Sequence, residues 1–218
     1  KATPWAECVG TEWIPMKPVS LMSEVRRLSR KKPDFIWIPT NTTHVIGVIK
    51  AQKELGIHIP IVGATHDGIK ASITASKDIN LLEGHYDSGA VDPAIDLNVP
   101  GAKIYAEYCK KLGIKNTWSL VAVQASIMEI LTLRAVERAA EMVGPDNITG
   151  EAVYNSMYAK PFTEEDLLGL ASTLTFTKEA PFSTKDLKVK ATTVKNGKHV
   201  QVGNDWIEVP NIPSWVKK

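Results

Sequence analysis

Three short polar segments follow apolar runs that have the length of buried strands. They supply hydroxyl, amide, imidazole, carboxyl and phenol groups, at Asn41, Thr42, Thr65, His66, Asp67 and Tyr86. Such groups can hydrogen-bond a small polar solute or receive an anion. Ligands of open parallel sheets bind at the carboxyl ends of the strands. We therefore predict that the three segments lie along one edge of a sheet and contact a ligand there.

Each of these residues also has a purely structural interpretation. Asn41 and Thr42 open a helix, where they cap backbone N–H groups with or without also contacting a ligand. His66 can be an exposed loop residue, and Tyr86 can belong to a hinge that touches no ligand. Trp118 stands at the start of a long apolar helix, where its ring either stacks on a ligand or packs into a core. The sequence leaves these alternatives open.

The sequence carries no motif for catalysis or for a cofactor. It lacks the glycine-rich phosphate loops of nucleotide-binding proteins and the G-x-S-x-G elbow of hydrolases. Its five histidines have no metal-ligand spacing, and a His66-Asp67 pair in a loop is weak support for acid–base chemistry. We therefore expect a binding protein with no enzymatic activity, cofactor or metal.

The composition is that of an ordinary globular protein. The chain has 218 residues, of which 44% are hydrophobic and 23% charged, and its net charge is +2. This charge balance gives no reason to expect nucleic acid binding, and no apolar run reaches the roughly 18 residues of a membrane span. Cys8 and Cys109 are far apart, and we expect two buried thiols.

From Pro33 onward, short apolar strands alternate with amphipathic helices, which predicts an α/β fold with a parallel sheet. The expected strands are 7–10, 35–38, 59–62, 81–86 and 174–176, followed by a hairpin of 189–194 and 199–202 around Asn196-Gly197. The expected helices are 20–31, 43–55, 69–76, 101–112, 117–143, 150–158 and 164–170. Strand 35–38 is apolar throughout, so we expect both of its faces to be covered.

Four segments, taken in order, resemble a known family. They are LMSEVRRL at 21–28, KPDFIWI at 32–38, IKAQKELGI at 49–57 and PIVG at 60–63. Their order and spacing resemble the C-terminal portion of periplasmic type I solute-binding proteins of ABC transporters, in particular the leucine/isoleucine/valine-binding receptors. The resemblance covers nearly the whole chain.

The resemblance implies two doubly wound parallel-sheet lobes with a hinge, which clamp a ligand by closing. The fold is expected to be incomplete, because the family's N-terminal part is missing. Residues 1–87 would form the second lobe without its opening strand and helix, and 88–178 the C-terminal part of the first lobe. Residues 179–218 would form a hinge crossing and the terminal hairpin, which returns to the second lobe.

The resemblance also implies partners and a location. The partners would be a small-molecule ligand, a membrane permease of an ABC transporter and the missing N-terminal segment, with no nucleic acid. The location would be periplasmic, or extracellular and lipid-anchored in a Gram-positive source. A ligand-sensing regulatory domain of the same fold is the alternative function.

The family's motif positions carry over onto single residues of this chain. The aromatic ligand contact of the amino-acid receptors falls at or near Asn41, and their acidic contact falls on Thr65 or His66. Neither of these two is an acid, although Asp67 is adjacent. A small organic or aromatic acid is therefore as good a candidate ligand as an amino acid.

Overall fold

The structure is a computed structural model, and it describes residues 6–64, 66, 68–179, 181 and 186–209. The helices of this part of the chain are α1 (Met22–Ser29), α2 (Thr42–Leu55), α3 (Ile69–Ser76), α4 (Pro100–Leu112), α5 (Leu120–Val143) and α6 (Gly150–Ala159). The strands are β1 (Ile36–Trp37), β2 (Ile61–Ala64), β3 (Tyr86–Gly89), β4 (Lys188–Lys195) and β5 (Lys198–Glu208). They form one sheet in the order β1-β2-β3-β4-β5, so the predicted α/β class is confirmed.

The described residues fall into two compact units. Unit 1 consists of 6–88 and Ala191–Gly203, and unit 2 consists of Gly89–Lys190 and 204–209. Among the helices of the described residues, none combines the length and the apolar composition needed to cross a bilayer.

Unit 1 is built on three parallel strands. Ile36 lies opposite Ile61 on the neighbouring strand, and Val62 lies opposite both Trp37 and Tyr86. Helices α1, α2 and α3 all join one core with Ile36 and Ile61, so they cover the same face of the sheet. The carboxyl ends of β1, β2 and β3 consequently share one edge, which is where their connections to the next elements begin.

The other face of β1 is not covered by described residues. Ile36 and Ile38 are buried, whereas Phe35 is 48% and Trp37 64% exposed. The expectation that both faces of this strand are covered is therefore wrong for the described structure. The reason is that all three helices of unit 1 pack on the face that carries Ile36.

Glycines set the ends of two predicted helices. Gly56 and Gly113 follow α2 and α4, and each has φ near +65°, the left-handed conformation in which only glycine has no steric cost. Asn196-Gly197 likewise forms the turn between β4 and β5, with positive φ at both residues. The two helix ends and the predicted hairpin are confirmed.

Four predicted elements are wrong. Residues 7–10 form no strand, and 81–86 contain a 3₁₀ turn at Ile79–Leu82 that precedes β3. Residues 164–170 form turns instead of a helix, because Leu168 and Gly169 adopt positive φ. Residues 174–176 contribute only an isolated bridge from Leu174 to Phe162.

Unit 2 has its own core beneath α5. Phe162, Leu167 and Leu170 are fully buried there, packed with Val123 and other apolar side chains. Both cysteines are free; Cys109 is buried as expected, but Cys8 is exposed, so that half of the expectation is wrong.

Candidate functional site

The candidate site lies at the edge of unit 1 where β1 and β2 end. Asn41 and Thr42 begin α2 after β1, and His66 follows β2. Because β1 and β2 are parallel, these segments leave the sheet at the same edge, as the sequence predicts. Thr65 and Asp67 lie outside the described residues.

Asn41 is positioned to cap α2, but its side chain does not do so. Its backbone has the extended conformation of an N-cap residue, and the amide makes no capping hydrogen bond. Asn41 and Thr43 are exposed, whereas Thr42 is half-buried. The Asn41 amide therefore points to no partner in the helix and remains accessible to a solute at this edge.

A buried histidine fixes the first turn of α2 instead. One ring nitrogen of His44 (Nδ1) lies 2.9 Å from the Thr40 hydroxyl, and the other (Nε2) lies 3.0 Å from the carbonyl oxygen of Pro15. His44 is only 2% exposed. Two hydrogen bonds thus tie the helix start to the preceding loop and to the N-terminal segment, without using Asn41.

His66 and Asp87 have different roles near the end of β2. His66 is exposed and makes no hydrogen bond to the described residues. The next helix, α3, begins at Ile69, whose backbone N–H donates to a carboxylate oxygen of Asp87 at 2.6 Å. The imidazole of His66 is therefore accessible, whereas Asp87 acts on the backbone.

Tyr86 does not follow a strand, as the sequence suggests, but begins one. It is the first residue of β3 and lies opposite Val62, with 41% of its surface exposed. Trp37 lies on the other side of Val62, so the two aromatic residues occupy one row across three strands. Tyr86 thus belongs to the uncovered sheet face and not to the loops at the strand ends.

Trp118 belongs to unit 2, just before α5 begins. Its ring packs at the margin of the unit 2 core and lies 5.1 Å from the Tyr105 ring, tilted by 53°. The indole N–H is shielded from solvent and has no hydrogen-bond partner among the described residues. A buried indole donor ordinarily finds an acceptor, so this group is available to a polar ligand atom only after a local rearrangement.

His85 is a buried structural residue at the amino-terminal ends of β2 and β3, the edge of the sheet opposite the candidate site. It is 3% exposed, and its Nδ1 accepts the backbone N–H of Ile61 at 3.0 Å, which requires the neutral imidazole with hydrogen on Nε2. Burial, with a smaller contribution from the neighbouring His58, lowers the pKa of His85 from 6.5 to about 4. Between pH 6.5 and about 4, His85 is therefore largely protonated in the unfolded chain and largely neutral in the folded protein.

We expect this histidine to make stability fall in mild acid. Above pH 6.5 the residue is neutral in both states, and its contribution is complete; as the pH falls toward 4, only the unfolded state is protonated. The cost by pH 4 is about 3 kcal/mol. His85→Asn, which keeps an acceptor near the Nδ1 position, should lose about that much less stability than the wild type between these pH values. Urea denaturation across that range measures the difference; identical pH profiles would contradict it.

Solved structures share the fold of this chain. No family model and no curated protein match the chain. Among solved structures, it resembles a branched-chain amino acid ABC transporter protein from Thermus thermophilus with bound valine (TM-score 0.73, 18% identity, 91% of this chain and 52% of that one). It also resembles a substrate-binding protein of an ABC transporter from Aeropyrum pernix (TM-score 0.70, 18% identity, 87% of this chain and 48% of that one). A third similar structure is a fatty acid ABC transporter substrate-binding protein from Thermomonospora curvata (TM-score 0.68, 21% identity, 92% of this chain and 51% of that one).

These matches establish the class of fold. The chain has the fold of type I periplasmic binding proteins, and the resemblance inferred from its sequence is confirmed at that level. It spans about half the length of the structures that it matches.

Proposed function

We propose that the chain is the solute-binding component of an ABC importer, and that it binds a small amino acid or a small organic or aromatic acid without catalysis. The observation that carries this proposal is the edge of unit 1, where Asn41 and His66 are exposed and serve no described structural contact. The names of the three structures reported above, all of ABC transporter proteins, support the importer over a regulatory domain. Delivery to a membrane permease, outside the cytoplasm, belongs to the same proposal.

The local chemistry favours an anionic group on the solute. The backbone N–H groups of His44 and Val45 donate to the carbonyl oxygen of Asn41, whereas those of Thr42 and Thr43 have no acceptor among the described residues. The helix dipole adds partial positive charge at the same place. The amide of Asn41 can donate in the same direction, and the imidazole of His66 supplies a further donor or acceptor. A carboxylate is the group that these donors accommodate best.

Isothermal titration calorimetry with L-valine, L-leucine, benzoate and octanoate tests this proposal. We expect at least one of these probes to bind the chain, and Asn41→Ala to weaken that binding by roughly 5–20-fold, the loss of one or two hydrogen bonds. The matched control is Asn98→Ala, since Asn98 is an exposed asparagine of unit 2. It should change affinity less than about twofold.

The possible failures of this experiment are distinct. Binding that is insensitive to Asn41→Ala would reject the site and leave the function standing. Failure of all four probes to bind, with the chain folded, would count against the function as stated.

A further inference from the structure

Three side chains on adjacent strands of unit 1 form one continuous chain of hydrogen bonds. Asp87 on β3 accepts the backbone N–H of Ile69 with one carboxylate oxygen and the hydroxyl of Thr192, on β4, with the other. The Thr192 oxygen lies 2.8 Å from Nε2 of His199, on β5. This series of hydrogen bonds thus connects the hairpin of β4 and β5 to the first amide of α3.

The direction of these hydrogen bonds fixes the state of the imidazole. A threonine hydroxyl has a single hydrogen, and Thr192 gives it to Asp87, so Nε2 of His199 must donate to the Thr192 oxygen. Burial, and to a smaller extent Lys70, lowers the pKa of His199 from 6.5 to about 4. At neutral pH the ring is therefore neutral, with its hydrogen on Nε2.

The Asp87 carboxylate lies directly against the backbone at Gly68. A Cβ atom built on Gly68 would lie 2.1 Å from one carboxylate oxygen of Asp87 and 2.8 Å from the carbonyl oxygen of Ala64. The carboxylate thus occupies the space that a side chain at position 68 would fill. Thr192 is fully buried beside it.

We infer that Thr192 and His199 are positioning residues for the connection between β2 and α3, which carries His66. They orient Asp87, Asp87 holds the first amide of α3, and the helix start fixes where the chain leaves the candidate site. The relevance of this connection to solute binding rests on the proposed function; the hydrogen-bond chain itself does not.

Amide hydrogen exchange at Ile69 tests the inference without any ligand. Thr192→Val removes the hydroxyl and keeps the shape, and we expect it to speed exchange of the Ile69 amide by roughly tenfold while exchange within α2 stays unchanged. Thr192→Ser, which restores the hydroxyl, should return exchange to within about twofold of the wild type. His199→Phe keeps a ring, removes the donor and should produce an intermediate increase.

Nuclear magnetic resonance of the His199 ring nitrogens adds a readout that general loosening would not give. The wild type should show hydrogen on Nε2, and Thr192→Val should shift that signal while Thr192→Ser preserves it. Unchanged exchange at Ile69 in Thr192→Val would overturn the inference, as would equal increases in α2 and α3. If Thr192→Val does not fold, His199→Phe against the wild type decides by the same two criteria.

A binding measurement separates this inference from the proposed function. For any of L-valine, L-leucine, benzoate and octanoate that binds the wild type, Thr192→Val should weaken affinity several-fold and Thr192→Ser should not. An exchange effect without an affinity effect would overturn the positioning role. If none of the four probes binds the wild type, the proposed function fails, and exchange at Ile69 still decides whether the residues position the helix.

Discussion

Gly68→Ala should destabilise unit 1 by about 2–4 kcal/mol. The backbone of Gly68 has φ −67°, which any residue adopts, so the cost comes from space and not from conformation. The added methyl group would overlap the Asp87 carboxylate and the Ala64 carbonyl oxygen. Overpacking costs about 1–3 kcal/mol, and displacing Asp87 from the Ile69 amide adds about the value of one charge-assisted hydrogen bond.

Gly150→Ala is the matched control for this substitution. Gly150 also stands at the start of a helix, α6, and a Cβ atom built on it meets nothing within 4 Å. Its replacement should be neutral or should stabilise the protein by up to about 1 kcal/mol, because alanine loses less backbone entropy than glycine. Urea denaturation followed by circular dichroism measures both variants. Equal effects would show that Asp87 does not occupy the space at Gly68.

Arg138→Met should destabilise unit 2 by a similar amount, about 2–4 kcal/mol. The guanidinium group is buried; it donates to the carbonyl oxygens of Lys160 and Pro161 at 2.8 Å each and pairs with Asp166 at 3.1 Å. It also lies 3.6 Å from the centre of the Phe162 ring. Methionine fills much of the volume but leaves two carbonyl oxygens without their donor.

Arg134→Met separates the effect of burial from the effect of charge. Arg134 lies one turn earlier on α5, and its main ion pair, with Glu137, is largely exposed. Exposed pairs contribute less than about 1 kcal/mol, and the hydrogen bond from Arg134 Nε to the carbonyl oxygen of Asp166 is long, at 3.3 Å. This variant should therefore lose no more than about 1 kcal/mol. Thermal or urea denaturation of the two variants compares them directly, and similar losses would rule out a special role for the buried guanidinium.

Much of the fold follows from local sequence signals. Helix α3 covers the residues predicted for it, 69–76. Gly56, Gly113 and Asn196-Gly197 end or turn the chain where their backbone preferences require. Thr163 and Asp166 form a local reciprocal pair, in which each side chain accepts the other's backbone N–H. These features depend on neighbours within a few residues.

The wrong predictions arise where local polar contacts or left-handed residues override an apolar pattern. Leu81 and Leu82 look like the start of a strand, but the Asp78 side chain accepts the Asn80 N–H and begins a 3₁₀ turn, which delays β3 until Tyr86. Turn chemistry of this kind competes with a short apolar run and wins.

Only part of the candidate site could be predicted from the sequence. The polar segments after β1 and β2 could be placed at one edge because parallel strands share their carboxyl ends. The role of Asp87 could not be foreseen, since its partner Thr192 is 105 residues away in sequence. Nor could the sequence show that Asn41 makes no capping hydrogen bond while His44 ties the start of α2 to Pro15, a contact between residues 29 apart in sequence.

The most direct test of solute binding is a nuclear magnetic resonance titration of the isotope-labelled chain with L-valine and, separately, benzoate. Binding at the proposed edge should shift the amide signals of Thr42, Thr43 and His44 and the ring signals of His66, and leave the signals of α6 unchanged. Shifts confined to unit 2 would contradict the account. So would the absence of shifts with these two solutes and with L-leucine and octanoate, at concentrations up to about 1 mM.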